Sequence, residues 1–548
     1  MKKITSFILV VCFLLMVGAC SGKKTTSTTE NTTTNTTTVD PLANLSLDNN
    51  LGAYYQIFVR SFADSNGDGI GDINGIKENI DYIADLGFEG IWLMPFCEAV
   101  SYHGYDVTDY YNVDTDYGTN EDLKALIDVC HEKGIKVIMD FVLNHTSEEH
   151  EWFKAAKAGD TKYQDYYVLA SNSDDRISKH GSYWHYFESG KKYYGYFSNT
   201  MPDLNYANQN VFNEIVEIAK FWADLGMDGY RLDGAFHIAG QGEYKDGSTV
   251  KTSVSKLELL RMNLDNYFTS TLGKDRPYFV AEVYDESASY STEYYVALES
   301  CFDFWGAKHI KNAVNASVGK SYASKIQSKI EDYYESAATY GLTAINAPFI
   351  SNHDQDRFAS VVVNEKLLHF GAELLLTQEG NPFVYYGEEI GMKGIKTEGP
   401  DIWDETRRLP FLWGVGSCQT TWYTDTWGVE DTYNTDVATY NEQKNDATSL
   451  YNTYKKLLNL RKDSIALKYG KFEALSVELS NLSAFTRTYT EGDFRDQVIV
   501  IHNFSGDSEL GSLQEFYTGD NVLYYSEGTF DGTMSSKTTL ILQIGSAK

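Results

Sequence analysis

Acidic side chains follow apolar runs at several points along the chain, each time where the run ends. Asp233 closes the run Gly-Tyr-Arg-Leu-Asp, Glu282 closes Tyr-Phe-Val-Ala-Glu, and Asp354 follows Ile-Ser-Asn-His. Two carboxyl groups in one pocket push each other's pKa values apart, so one can stay protonated as a general acid while the other stays ionised as a nucleophile. The pattern therefore predicts acid-assisted displacement chemistry, provided that the fold brings these positions together.

Basic side chains accompany these carboxylates. Arg231 stands two residues before Asp233, so the two share one face of a strand, and the guanidinium can hold the carboxylate ionised. A fourth block, residues 140–145, ends in His145, and His353 lies at the seventh strand end. Taken singly, a carboxylate at a strand end is as often a helix cap or an ion-pair partner. The prediction therefore depends on all four blocks converging on one pocket.

The elements that would position these side chains alternate between short β-rich runs and helical patterns from about residue 50 onward. We predict eight strands, at 53–59, 90–94, 136–141, 229–233, 278–282, 300–304, 344–349 and 382–386. This alternation suggests a barrel or a doubly wound sheet. Because polar and acidic residues cluster just past the strand ends, where a (β/α)8 barrel has its active site, we expect an α/β fold of the (β/α)8 TIM-barrel type.

The segments outside the barrel pattern differ in composition. The connection after the third strand is too long for a βα loop and predicts a separate excursion domain. After residue 462 an apolar–polar alternation with Gly, Asp and Ser turns predicts a C-terminal antiparallel β domain. The predicted organisation is a lipoprotein signal peptide at 1–20, a Thr/Ser-rich tether at 21–50, the catalytic barrel at 51–143 and 209–462, the excursion domain at 144–208 and the C-terminal β domain at 463–548.

The N-terminus has the pattern of an export signal. Lys2 and Lys3 precede an apolar run at 7–17, which is too short to span a bilayer comfortably. The run ends in Val-Gly-Ala-Cys, which resembles a bacterial lipobox with Cys20 as the lipidated residue. We expect the protein at the extracellular face of a bacterial membrane, anchored by lipid through a disordered tether. An ordinary signal peptide with a chance cysteine is the alternative.

Composition limits the partners. A net charge of -31 argues against nucleic acid and against anionic membrane, so we expect membrane contact only through the lipid anchor. An aromatic share of 14% suits a carbohydrate binder, because sugars present flat C–H faces to aromatic rings, although these rings can equally be core. We expect a monomer whose four remaining cysteines are mostly buried thiols.

Together the four strand-end blocks closely resemble the signature regions of the α-amylase family, glycoside hydrolase family thirteen, in order and spacing over roughly residues 50–548. The segment Met-Pro-Asp-Leu-Asn at 201–205 resembles a fifth region. The resemblance implies that Asp233 is the nucleophile that forms a covalent glycosyl-enzyme and that Glu282 is the general acid/base. It further implies that Asp354 holds sugar hydroxyls and stabilises the transition state. By the same resemblance, the histidines that bind the sugar in the cleavage subsite are His145 and His353.

The second strand leads into Ser-Tyr-His-Gly-Tyr-Asp at 101–106. In the family, the residue matching Tyr105 is a stacking platform for the sugar and the residue matching His103 bonds a hydroxyl. Asp106 resembles a residue that pairs with an arginine near the non-reducing end, and Arg408 lies in a matching context. A structural salt bridge at the barrel rim is the alternative for this pair.

Two calcium sites are predicted. Oxygen side chains at alternate positions, with glycines for a tight turn, are what a hard cation needs, and the segment that follows the first strand has this pattern. It resembles the calcium loop of several family members, with Asp64, Asn66, Asp68, Ile70 and Asp72 as the site residues; a solvated turn is the alternative. For a second Ca²⁺, between barrel and excursion domain, the residues are Asn144, Asp203 and, through its backbone carbonyl, His237.

These features predict a retaining hydrolase of α-1,4 links in starch, maltodextrin or a related α-glucan. Phe236 stands where many α-amylases have Lys, and Met201 resembles neopullulanase-type enzymes. A neopullulanase or an oligo-1,6-glucosidase is therefore an alternative within the hydrolases. A transglycosylase and a non-catalytic starch-binding surface protein are the alternatives outside them.

Overall fold

The computed structural model describes residues 45–546, except for residues 180, 239–246, 363, 399–401, 415 and 417. The predicted signal peptide, the lipidation site Cys20 and most of the predicted tether lie outside the described residues. Within that described part, no helix combines the length and the apolar character needed to cross a membrane. Residues 47–548 form one compact unit.

A curled sheet of parallel strands forms the centre of this unit. Its strands are β1 (Tyr54–Ile57), β2 (Gly90–Leu93), β3 (Lys136–Phe141), β4 (Gly229–Leu232), β5 (Tyr278–Ala281), β6 (Ser300–Cys301) and β7 (Phe383–Tyr385). Their order in the sheet is β6-β5-β4-β3-β2-β1-β7, so each strand from β1 to β5 pairs with the next along the chain and β7 returns to pair with β1. This is the order of a (β/α)8 barrel, and the predicted fold class is confirmed.

The seventh barrel position differs from the prediction. Residues 344–349 contribute two parallel bridges, Phe302 to Ala347 and Phe349 to Phe383, in place of a full strand. Pro348 lies between the two bridged residues and has no backbone N–H to give to a ladder, although its carbonyl accepts a hydrogen bond from Phe383 at 2.8 Å. The bridges still link β6 to β7, which closes the barrel.

The side chains of each strand alternate between the barrel interior and the surrounding helices. Tyr54, Trp92, Ile138, Tyr278 and Val280 belong to one buried cluster with residues of the closing segment. Their sequence neighbours on the same strands belong to a second cluster with the helices. Because side chains alternate along each strand, the inward-facing positions that follow this apolar layer lie at the carboxyl ends of the strands.

Helices surround the barrel. The longer ones are Asn120–Glu132, Gln209–Leu225, Gly247–Asn266, Phe304–Asn315, Tyr322–Ala338, Glu365–Leu376 and Leu450–Asp463, and shorter ones at Ile73–Glu78 and Ile80–Leu86 follow β1. Between β3 and Gln209–Leu225 lies the excursion, with helices Glu151–Lys157, Thr161–Gln164 and Asp175–Lys179 and a small antiparallel sheet of Leu169–Ser171, Lys191–Tyr194 and Trp184–Glu188. The antiparallel pair Cys97–Ala99 and Val107–Val113 follows β2 and flanks the carboxyl end of the barrel.

The C-terminal residues form an antiparallel sheet, as predicted. Its strands are β8 (Lys471–Leu475), β9 (Leu482–Glu491), β10 (Phe494–Asn503), β11 (Val522–Tyr525) and β12 (Thr538–Ser546), in the order β8-β9-β10-β12-β11. Arg487 of β9 fixes this sheet to the barrel, because its buried guanidinium donates to the carbonyl of Gln378 at 2.7 Å, and Arg461 on the barrel helix Leu450–Asp463 donates to the same carbonyl at 2.7 Å. The cysteines of the described part are free thiols, namely Cys97, Cys130, Cys301 and Cys418.

Candidate active site

One buried guanidinium joins three carboxylates at the carboxyl ends of β3, β4 and β5. Arg231 is 1% exposed and places Nη1 2.7 Å from Asp140 Oδ1 and 2.6 Å from Asp233 Oδ1. Its Nη2 lies 3.1 Å from Glu282 Oε2, which also accepts a hydrogen bond from the backbone N–H of Gly234 at 3.0 Å. The strand register explains this, since Arg231 pairs with the Asp140 position on β3 and with the β5 residue two before Glu282.

This cluster binds protons more tightly than separate carboxylic acids would. Burial raises the pKa of Asp140 to about 8, with the charge of Arg231 opposing the effect. Burial also raises the pKa of Asp233 and of Glu282, again against the opposing charge of Arg231. One positive charge cannot neutralise three carboxylates, so the cluster holds a proton at a pH at which isolated carboxylates are ionised.

The third predicted carboxylate lies under different control. Arg408 Nη2 lies 3.1 Å from Oδ1 of Asp354, and His353 Nε2 lies 3.0 Å from its Oδ2. Burial raises the pKa of Asp354, but the opposing effects of His353, Arg408 and Arg231 are larger, so the pKa lies well below its usual range. Asp354 is therefore ionised across the neutral range, next to a cluster that retains a proton.

A chain of hydrogen bonds defines the tautomer of His353. Gln56 Nε2 lies 2.8 Å from His353 Nδ1, and because an amide nitrogen only donates, the ring proton is on Nε2. That N–H faces Asp354 and, at 2.6 Å, the phenol oxygen of Tyr105. Tyr105 in turn donates to Asp140 Oδ2 at 3.0 Å. The chain connects Asp354 with the carboxylate cluster of Arg231.

The two remaining predicted histidines are held by the backbone of the 101–106 segment. His145 Nε2 donates to the carbonyl of Tyr105 at 3.0 Å, and His103 Nδ1 accepts from the N–H of Tyr105 at 3.1 Å. Burial lowers the pKa of His145 to about 4, and burial together with Arg408 lowers that of His103 to about 3. Both rings are neutral at pH 7, which lets each of them donate or accept one hydrogen bond from a hydroxyl.

These side chains line one cavity of about 560 Å³ at the top of the barrel. Its walls consist of Ser101, Tyr102, His103, Tyr105, His145, Phe197, Ser198, Met201, Asp233, Glu282, Asp354, Trp403, Asp404, Glu405 and Arg408. A larger cavity of about 1010 Å³ lies between the barrel and the C-terminal sheet, away from these carboxylates. We place the reaction in the smaller cavity, because it is the one lined by Asp233, Glu282 and Asp354, the carboxylates that Arg231 and Arg408 bind.

Comparison with known proteins agrees with this geometry. Residues 56–470 match the family model for the alpha amylase catalytic domain. The chain is 37% identical over 480 residues to "Alpha-amylase 3" of Dictyoglomus thermophilum, which covers 86% of this chain and 88% of that protein. The chain belongs to the α-amylase family. As a member of glycoside hydrolase family thirteen, it is an α-glucan hydrolase or transferase.

Two further similar proteins carry names for different reactions. The 4-alpha-glucanotransferase of Thermotoga maritima is 32% identical over 467 residues, covering 83% of this chain and 96% of the relative. The crystal structure of alpha-amylase from H. orenii superposes with a TM-score of 0.76 at 34% identity, covering 90% of this chain and 99% of that one. Both hydrolysis and transfer therefore occur on closely similar chains.

For this α-amylase family member, the expected contact between Asp106 and Arg408 is replaced by other pairs. Arg408 binds Asp354, and its Nη1 lies 3.3 Å from the hydroxyl of Tyr102. Asp106 is buried and accepts from the backbone N–H of Ser101 at 3.1 Å and from its hydroxyl at 2.5 Å. The physical reason is that Asp106 closes the local turn of residues 101–106, while Arg408 neutralises the charge of Asp354, with which the sequence pattern does not pair it.

The first predicted calcium loop is bent by its own hydrogen bonds. The carboxylate of Asp64 accepts from the N–H groups of Asn66, Gly67 and Gly69 at 3.0, 2.7 and 2.8 Å. Asp72 accepts from Ser65 and Gly75, and Asn66 and Asp68 accept from the residues two positions on. In the described ranges, no three His, Cys, Asp or Glu side chains are grouped as metal ligands. The oxygens suit calcium by type, and calcium at this loop stays a prediction.

The residues of the second predicted calcium site do come together in part. Asp203 is buried, and its main chain bridges that of His145, next to Asn144. Burial raises the pKa of Asp203 to about 7, while hydrogen bonds from Tyr196 and Asn144 lower it. The ring of His237 packs at a tilt against that of Tyr196, with ring centroids 3.8 Å apart. A nearby cation stabilises a buried carboxylate of this kind, and calcium at this second site stays a prediction.

Sequence reasoning did not single out several residues that the structure brings to the cavity. Gln56 sets the tautomer of His353, Asp140 shares Arg231, and Tyr102 contacts Arg408. Asp140 starts one of the four strand-end blocks, so its position carried a signal. Gln56 is a polar residue at an inward-facing position of an otherwise apolar strand, and this pattern could have marked it as part of the site.

Proposed function

We propose that this protein is a retaining hydrolase of α-1,4-glucosidic bonds in starch and maltodextrins. The observation that carries the proposal is that Asp233 and Glu282 contact adjacent nitrogens of Arg231. Two carboxyl groups on one guanidinium lie close together. A retaining glycosidase needs a short separation because the carboxylate itself attacks the sugar, whereas an inverting enzyme leaves room for a water between carboxylate and substrate.

The two carboxyl groups divide the chemistry by protonation state. Arg231 lies 2.6 Å from Asp233 and favours its ionised form, the form that attacks the anomeric carbon. Glu282, with its raised pKa, carries the proton that moves to the leaving glycosidic oxygen as the C–O bond breaks. The resulting glycosyl ester on Asp233 is then cleaved by water, whose proton returns to Glu282.

The remaining polar side chains of the cavity hold the sugar. Asp354, kept ionised by Arg408 and His353, accepts hydrogen bonds from two neighbouring hydroxyls of the reacting glucose. The negative charge of Asp354 also stabilises the positive charge that develops at the anomeric centre. The neutral rings of His145 and His103 bind further hydroxyls without adding charge.

The stereochemistry and the cleaved bond test this proposal directly. Wild-type enzyme is incubated with maltooligosaccharide, and the first-formed product is followed by proton NMR before mutarotation. We expect the α-anomer, and an initial β-anomer would overturn the mechanism. Parallel digests of amylose, pullulan and isomaltose identify the preferred bond, and cleavage of isomaltose over amylose would move the assignment to an oligo-1,6-glucosidase.

Transfer to a sugar is the second candidate, because a relative named 4-alpha-glucanotransferase is 32% identical to this chain. The same glycosyl ester on Asp233 would then be cleaved by a glucan hydroxyl in place of water. Incubation with maltotriose separates the two reactions. A hydrolase releases glucose and maltose, whereas a transferase also builds chains longer than maltotriose while the reducing-sugar content stays nearly constant.

We further propose that Ca²⁺ binds the loop of Asp64, Asn66, Asp68, Ile70 and Asp72. The support is the all-oxygen donor set and the turn geometry fixed by the Asp64 hydrogen bonds. The ion would contribute to stability, and the reaction steps above do not involve it.

We also propose that the enzyme is secreted and held at the bacterial cell surface by lipid on Cys20. The support is the sequence alone, in which an apolar run and Val-Gly-Ala-Cys precede a Ser- and Thr-rich segment. A surface position suits an enzyme whose polymeric substrate cannot enter the cell.

A further inference from the structure

A large aromatic side chain on the cavity wall is exposed to solvent. Trp403 is 53% exposed and lines the same cavity as Asp233, Glu282 and Asp354. Trp92 and Trp222, by contrast, are almost fully buried. An indole that remains in water at the mouth of a binding cavity offers a flat apolar face to a ligand.

The main chain of Trp403 is fixed by hydrogen bonds on both sides. Its N–H donates to Glu405 Oε2 at 2.6 Å, and its carbonyl accepts from the N–H of Thr397 at 3.0 Å. The hydroxyl of Thr397 also donates to the preceding carbonyl, that of Ile402, at 2.6 Å. Lys396 Nζ lies 5.3 Å from the ring centroid and is not part of the cavity wall.

The neighbours of Trp403 show which part of the substrate it faces. Arg408, on the same wall, binds Asp354, which holds hydroxyls of the reacting sugar. The proton donor Glu282 lies on a different part of the wall, where it accepts a hydrogen bond from the N–H of Gly234. Phe197, an exposed aromatic residue of the excursion, packs against Gly234, so Phe197 lies on the Glu282 side of the cavity. Trp403 therefore lies on the donor side of the bond to be cleaved.

We propose that Trp403 is the stacking platform for the glucose unit that precedes the reacting one, and that it makes the enzyme prefer donors of two or more glucose units. The inference rests on the proposed function and deepens it by naming the length of donor that is recognised. The indole packs on the C–H face of that glucose, and the reacting glucose is held by Asp354 and the histidines without contact to Trp403.

The kinetic test compares Trp403→Ala and Trp403→Phe with wild type on p-nitrophenyl α-maltoside and p-nitrophenyl α-glucoside. Only the maltoside places a glucose on Trp403. We expect Trp403→Ala to lower the ratio of kcat/KM for maltoside over glucoside by about tenfold, and Trp403→Phe to restore most of it, because a well-placed aromatic contact contributes about a factor of ten. The matched control is Tyr340→Ala, an exposed aromatic residue outside the cavity, which should keep the wild-type ratio.

A binding measurement keeps the test independent of turnover. In an Asp233→Asn background, calorimetry with maltotriose should show a Kd about tenfold weaker when Trp403→Ala is added. An unchanged Kd, or a fall in kcat/KM that is equal for both nitrophenyl substrates, would overturn the role of Trp403. A wild-type enzyme that binds maltotriose through Trp403 but cleaves no glucan would instead overturn the proposed function.

Discussion

Arg408 and Asp354 form an ion pair, with Arg408 Nη2 3.1 Å from Asp354 Oδ1. The two residues follow different positions of the barrel, and each is held from its other side. Asp354 receives His353, and Arg408 also reaches the hydroxyl of Tyr102. The pair therefore fixes the orientation of the carboxylate that would hold the sugar hydroxyls, and it joins the two loops that carry them.

Replacing Arg408 tests this pair. Arg408→Met keeps most of the volume and removes the charge, so Asp354 loses one charged hydrogen bond and its fixed orientation. We expect kcat/KM on maltotetraose to fall by about 10- to 100-fold, the equivalent of one charge-assisted hydrogen bond. Arg276→Met, in a half-exposed arginine 3.9 Å from Glu299, is the control and should change activity little. Equal loss in both variants would mean that the pair has no particular role.

Asp233→Asn should abolish turnover, because an amide cannot form the glycosyl ester. The fold should persist, since the amide oxygen can still accept from Arg231. We expect kcat on maltotetraose to fall by roughly 10⁴-fold or more, as for other nucleophile deletions. Asp224→Asn, an acidic residue that bonds Tyr267, serves as a control that keeps activity. Substantial turnover by Asp233→Asn would show that another group attacks the sugar.

The pH profile should report Glu282. Its pKa is raised, first by burial and also by the charges of Asp233 and Asp354, with Arg231 opposing. Because the protonated form is the active one, activity is present below this pKa and lost above it, so the alkaline limb lies above the ordinary glutamate value of about 4.3. In Glu282→Gln, the initial release of fluoride from α-glucosyl fluoride should persist without an alkaline limb, since fluoride leaves without a proton. Hydrolysis of the glycosyl ester on Asp233 should slow, because Glu282 no longer takes the proton of the attacking water.

The control for that experiment is Glu286→Gln, a glutamate that pairs with Lys308 at the surface. It should keep both limbs of the profile and the activity on maltotetraose. If Glu282→Gln retains the alkaline limb with the fluoride, the limb belongs to another group and Glu282 is not the acid.

Calcium should stabilise the enzyme through the Asp64–Asp72 loop. A bound ion adds about 2.7 kcal/mol at a hundredfold excess over its Kd, so EDTA should lower the Tm of the wild type in a calorimetric scan. Asp68→Ala should melt lower than wild type in calcium and respond less to EDTA. Asp531→Ala, in the C-terminal β domain, is the control and should respond to EDTA as wild type does. If wild type and Asp68→Ala have the same Tm both in calcium and in EDTA, the loop does not bind calcium.

Lipid on Cys20 should determine where the enzyme is found in the cell. Cys20→Ala should release the protein into the medium or leave it as an uncleaved precursor, because the lipid attachment point is gone. Membrane fractionation and the intact mass of the purified protein check this result. Wild-type protein without a lipid mass, or a variant that fractionates with membranes as the wild type does, would contradict the anchor.

Much of the site was readable in the sequence because strand geometry is local. Arg231 and Asp233 share a face by the period of two, and the strand-end blocks at 140–145, 229–233 and 278–282 meet because parallel neighbours end at one edge. The order of the barrel strands followed for the same reason. The length of the seventh strand did not follow, because Pro348 interrupts a run whose apolar pattern alone predicts a strand.

Sequence alone thus determined the barrel, the carboxylates and the family, since these depend on periodicity and on residues close along the chain. Only the tertiary structure decided the partners of side chains on separate loops. It paired Arg408 with Asp354 in place of Asp106, assigned the ring proton of His353 through Gln56, and left Trp403 exposed on the cavity wall. Such contacts depend on where loops close in space, and their packing and desolvation are set by residues distant along the chain, such as Gln56 for His353.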